Sequence, residues 1–143
     1  MPFSVSAFND KVYSLKTFEE EYKNARANII NAFNLLGGET NIEKVLIEGM
    51  DELQLFCKKH NMKGVLIVFS DGEPTKGLKG EALRILIREL KGKLPVVGIG
   101  VGKEKNFVEE YFEKSGVRIS EISKIPQAFS KVVENYLRRL ISV

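Results

Sequence analysis

One cysteine, one histidine, four prolines and no tryptophan occur in 143 residues. A single cysteine, Cys57, excludes an intramolecular disulfide, and a reduced cytoplasmic setting is the expectation. A single histidine, His60, excludes His-rich zinc centres, and no Ser-His-Asp or Cys-His constellation can be assembled around it. The hydroxyls of Ser4, Ser6 and Ser70 have no base beside them in sequence, so a non-enzyme is expected. No apolar run approaches the ~20 residues that cross a bilayer, so no membrane role is expected. The opening "MPFSVSAFND" has no basic segment leading into an apolar one, so no signal peptide is expected either. A one-sided charge is also missing. Lys and Arg number 22 against 19 Asp and Glu, and the two signs are interleaved in stretches such as "IRELKGKL" at 87–94. That is a solvated surface without the basic stripe that nucleic acid requires.

What is present is a globular composition, 43% hydrophobic and 29% charged, in a length suited to one domain over residues 1–143. "FSVSAF" (3–8) and "KVYSL" (11–15) read as a hairpin turning at Asn9-Asp10. "TFEE" at 17–20 is a capping box that predicts a helix with an apolar stripe of Phe18, Tyr22, Ala25, Ile29, Phe33 and Leu36, stopped at Gly37-Gly38. "TNIE" at 40–43 is a second box, with Thr40 as the cap and Glu43 as its partner. Behind it Ile42, Val45, Leu46, Met50, Leu53 and Cys57 trace one helical face. The continuous apolar run at 64–69 predicts a strand covered on both faces. A helix through Leu83, Leu86, Ile87 and Leu90, a strand at 94–101, a short helix ending at Gly116, a strand at 117–122 and a last helix from Pro126 follow. This alternation predicts a doubly wound, mostly parallel, Rossmann-like α/β sheet with an N-terminal hairpin and helices on both faces.

In such a sheet ligands collect beyond the carboxyl ends of the strands. Asp71 follows the strand at 64–69 and Thr40 opens the helix that leads into it, so both fall on that edge. A hydroxyl and a carboxylate are oxygen ligands of the kind Mg²⁺ prefers. Each also has a plain structural reading, Thr40 as a helix cap and Asp71-Gly72 as a turn dipeptide. "GIGVGK" at 98–103 offers a competing phosphate cradle. Its third glycine falls one residue early for G-x-G-x-x-G, and Glu104 stands where a Walker loop has Ser or Thr.

"FSVSAFNDKVYSLKTF", "GGETNIEKVL", "VLIVFSDGEPTKG" and "LPVVGIGVG", in this order and spacing, resemble the von Willebrand factor A domain family over almost the whole chain. The resemblance implies a protein–protein interaction module with a metal-ion-dependent adhesion site, MIDAS, at which a divalent ion bridges to an acidic residue of the partner. Carried over by position, Thr40 and Asp71 are its metal ligands, for Mg²⁺ or Mn²⁺. Intracellular members that work beside AAA-type ATPases or chelatases make such an ATPase an expected kind of partner.

One part of the family pattern is not found. The D-x-S-x-S element at the end of the family's first strand has no counterpart: "PFSVS" carries serines at the right offsets, but Pro2 stands in place of the aspartate. The expectation is therefore a domain incomplete at its N-terminus, with a partial metal site that binds weakly or not at all. The family's first strand is central in its sheet. Either the hairpin pairs directly with the strand at 64–69, or another chain fills the gap and the protein is a homo-oligomer. Two alternatives stand beside the adhesion module. One is a metal-independent, self-associating scaffold, and the other is a nucleotide-binding domain dependent on Gly98–Lys103.

Overall fold

The computed structural model describes residues 2–35, 38–70, 73–101 and 108–141. Strands β1 (Val5–Phe8) and β2 (Val12–Lys16) form the hairpin. At its turn Asn9 Oδ1 accepts from the Lys11 amide at 2.9 Å, the local side-chain bond that makes Asn a turn former. Lys16 at the end of β2 is buried, and its ammonium donates to the carbonyls of Phe3 at 2.6 Å and Thr17 at 2.9 Å while lying 4.2 Å over the Phe3 ring. The burial of this charge is thereby matched by two carbonyl dipoles and an aromatic face.

Helix α1 spans Tyr22–Leu35, and α2 spans Ile42–His60. The box at Thr17 does close, with Thr17 N–H donating to Glu20 Oε1 at 3.1 Å and Glu20 N–H to Thr17 Oγ1 at 3.3 Å. It makes an isolated turn, however, and the helix starts only at Tyr22. Phe18 is drawn away from the expected α1 stripe and stacks on Phe56 of α2, with ring centroids 4.0 Å apart.

Strands β3 (Leu66–Ser70), β4 (Val96–Val101) and β5 (Gly116–Ile119) form a parallel sheet in the order β3-β4-β5. Helix α3 (Gly80–Lys91) links the first two of these strands. A π-helical turn at Val108–Phe112 precedes β5, and α4 (Ile125–Ile141) follows it. The central strand β4 sends alternate residues to two cores, as a strand covered on both faces must. Val96 packs with Ile42, Leu46 and Met50 of α2, Leu83, Ile87 and Leu90 of α3, and Phe112. Val97 and Ile99 pack with Ile119 and with Val132 of α4. Helices therefore cover both faces, as the alternation of elements predicts.

The glycines of β4 belong to this packing. A methyl group on Gly98 would lie 2.5 Å from a carbon of the fully buried Phe112 ring, so only glycine lets that ring lie against the strand. Gly98 and Gly100 lie inside the ladder, registered with Val68 and Ser70 of β3, rather than in a loop that could wrap a phosphate. Gly102, Lys103 and Glu104 of the phosphate reading lie outside the described residues.

Of the two arrangements expected for the hairpin, direct pairing with β3 is not the one found among the described residues. Among the described residues the hairpin forms a separate two-stranded sheet, and neither of its strands pairs with β3. The Leu66 amide donates to the Pro95 carbonyl at 3.0 Å, toward β4. Because backbone groups alternate sides along a strand, those of Ile67 and Phe69 face the other way. The burial agrees. Of the run Leu66–Ser70 only Val68 is buried, whereas β4 is buried from Val96 to Gly100. Among the described side chains of α1, Ala25 is buried and Tyr22 and Ile30 are each half exposed.

Candidate metal and partner-binding edge

Three loops meet where α2 begins. The cap of α2 is Asn41, not Thr40: Asn41 Oδ1 accepts from the Lys44 amide at 3.0 Å. The expected partner of the cap, Glu43, is turned elsewhere and accepts from the Leu78 amide at 3.1 Å. The reason lies in the loop between β3 and α3. Gly77 (φ +72°) passes so close to the cap that a methyl group there would collide with Asn41 Oδ1 and lie 2.9 Å from Glu43 Oε1. The first turn of α2 is thus shaped around a backbone that only glycine can supply.

Thr40, released from capping, is held by its backbone. Its N–H donates to Thr75 Oγ1 at 2.7 Å, and its carbonyl accepts from the amides of Thr75 at 2.9 Å and Lys76 at 3.1 Å. One residue on, the Asn41 amide donates to the Asn9 carbonyl at 2.8 Å, which brings the hairpin turn to the same place. The Lys76 ammonium pairs with Glu39 at 2.9 Å and reaches Asp10 at 3.8 Å. Its hydrogen bond to Glu39, then the charges of Glu39 and Asp10, hold its pKa above the usual lysine range.

The Thr40 hydroxyl takes part in no hydrogen bond among the described residues, so an oxygen at the carboxyl edge of the sheet is available to a ligand. Its chemistry suits a hard cation. Asp71 lies outside the described residues. Ser70, the last residue of β3, is registered with Gly100, and the described loop resumes at Glu73. Partial burial, and then the charge of Glu110, push the Glu73 carboxyl above the usual range. Glu110 is itself tied to α3 by Arg84 at 2.9 Å. Among the described residues no three His, Cys, Asp or Glu side chains cluster as a metal site.

His60 and Cys57 are far from this edge. Helix α2 has 19 residues, so His60 at its end is ~27 Å along the axis from its first turn, and there it packs on Phe56. Cys57 is buried, and that burial pushes its thiol pKa up, the opposite of an activated nucleophile. The sequence reading missed Thr75, Lys76 and Gly77. Their signal was the Pro74–Gly77 turn, whose positive φ fixes the direction of the loop.

Residues 2–136 match the von Willebrand factor type A domain. The chain belongs to that family. Three solved structures of proximal thread matrix protein 1 from the mussel byssus share the fold of this von Willebrand factor A chain. One, with a zinc-occupied MIDAS motif, has a TM-score of 0.67 at 16% identity and covers 92% of this chain and 35% of that one. Another has a TM-score of 0.57 at 21% identity, covering 92% and 34%. A second crystal form has a TM-score of 0.55 at 22% identity, covering 94% and 34%. This chain thus spans about a third of the length of those proteins, and the likeness speaks for the fold alone. No curated protein matches the chain.

Proposed function

We propose that this von Willebrand factor A chain is a protein–protein interaction module, not an enzyme, and that it binds its partner at the carboxyl edge of the sheet. Thr40 and Asp71 hold a divalent ion there, Mg²⁺ or Mn²⁺, whose remaining positions go to water and to an acidic residue of the partner. The observation that carries this reading is Thr40, fixed through its backbone to the β3–α3 loop while its hydroxyl takes no hydrogen bond among the described residues. A cation there supplies charge to attract a carboxylate; the chain supplies the oxygen and a rigid mount. The zinc found in the mussel protein's MIDAS motif makes Zn²⁺ a third ion to try. A cytoplasmic setting and an AAA-type ATPase as partner belong to the same proposal.

Calorimetric titration with Mg²⁺, Mn²⁺ and Zn²⁺ tests it. Saturable binding that is lost in Asp71→Ala and weakened in Thr40→Val is the expected result. No heat from the unaltered chain would sink the metal-dependent reading.

A second reading is favoured by the split sheet: a metal-independent scaffold that self-associates through the outer edge of β3. Sedimentation that remains monomeric across a wide concentration range would dismiss it.

A further inference from the structure

Thr75 is an exposed side chain, so its place in the fold is not explained by burial. Its hydroxyl nevertheless accepts the Thr40 amide at 2.7 Å, the shortest of the bonds joining the two loops. The Thr75 and Lys76 amides return two bonds to the Thr40 carbonyl. Both backbone polar groups of Thr40 are therefore held by the same dipeptide, and the next amide is held by Asn9. With donor and acceptor fixed on either side of Cα, the direction of Cβ has little freedom left, and the hydroxyl is confined to the few staggered χ1 positions about it. Glu43 and Lys76 brace the same loop from α2 and from Glu39, so the frame that holds Thr40 is itself anchored.

We propose that Thr75 is a positioning residue for Thr40, its side-chain oxygen fixing the backbone from which the Thr40 hydroxyl is presented at the carboxyl edge. The proposal rests on the reading of Thr40 as a metal ligand. Groups that orient a ligand without touching the ion commonly change metal affinity by about ten- to a hundredfold when removed. Thr75→Val keeps the shape and removes the acceptor; Thr75→Ser keeps the acceptor.

The test is Mn²⁺ titration of the full chain as unaltered protein, Thr75→Val and Thr75→Ser, with amide hydrogen exchange at Thr40 and Asn41 on the metal-free proteins. The expected result is affinity weaker by about tenfold or more in the valine variant and near the original in the serine variant. In the metal-free valine variant, exchange at Thr40 should be faster by about tenfold, the effect of one lost hydrogen bond. Equal Mn²⁺ affinity in Thr75→Val and the unaltered chain overturns the proposal. If the unaltered chain takes up no ion, the metal reading falls and exchange decides alone. Faster exchange at Thr40 in the valine variant, reversed by serine, then upholds the positioning role, and unchanged exchange overturns it.

Discussion

Gly98 shows how much one absent side chain can decide. The Phe112 ring fills the place where a β-carbon would be, and the ring is fully buried, with no room to retreat. Gly98→Ala should therefore destabilise the fold by about 1–3 kcal/mol, the usual cost of forcing a carbon into a packed core. Denaturant midpoints of the variant and the unaltered chain measure it. Adding Phe112→Leu, which vacates part of the clash, should make the double change cost less than the sum of the two single ones. A neutral Gly98→Ala would mean that this glycine serves something other than packing. From the sequence the same residue read first as part of a buried strand, with a phosphate loop as the weaker alternative. Periodicity marks where a strand runs, but a glycine's reason is the atom opposite it, and Phe112 is fourteen positions away in a turn with no simple period.

At the scale of elements, α2 was the most legible. All six residues of its apolar stripe, Ile42, Val45, Leu46, Met50, Leu53 and Cys57, are buried. Its cap was misplaced by one residue. Thr40 and Asn41 are both good caps, and the choice between them was made by Gly77, which comes against the helix start from a distant loop. Asn41→Ala should cost about 1 kcal/mol of stability, whereas Thr40→Ala should cost no capping energy because Thr40 acts through its backbone. Thermal or denaturant unfolding of the two variants separates these roles, and the reverse order would restore Thr40 as the cap. Helix α1 was read less well. Of its stripe Ala25 is buried and Ile29 partly buried, but Tyr22 remains half exposed and Phe18 lies before the helix. An amphipathic pattern states which face is apolar, not whether a neighbour exists to cover it.

For the whole molecule, the fold class was legible because alternating strands and helices leave few ways to pack, and the two-sided burial of β4 bears this out. The arrangement of the hairpin was not, since strand order between non-local elements leaves little trace in local pattern. The proposed metal ligands stand differently again. Thr40 is placed beside the β3–α3 loop, and Asp71 lies outside the described residues. The outer edge of β3 makes a measurable claim. If the chain associates there, the Ile67 and Phe69 amides, which face away from β4, should gain protection from exchange as concentration rises. Leu66 and Val68, bonded toward β4, should be protected throughout. Protection of Ile67 and Phe69 that is independent of concentration would rule out association through this edge.

The division into two sheets also bears on how the chain comes apart. The hairpin joins the rest through a few contacts, chiefly the Asn41 amide on the Asn9 carbonyl, Phe18 on Phe56 and Phe8 against the main core. Among the described residues no continuous ladder joins the halves. The expected outcome is unfolding in more than one stage, the hairpin and α1 loosening first, which hydrogen exchange would read as lower protection in β1 and β2 than in β4. The midpoint of the later transition then reports changes in the three-stranded body such as Gly98→Ala, and a loosened first half would leave the frame around Thr40 without one of its three walls.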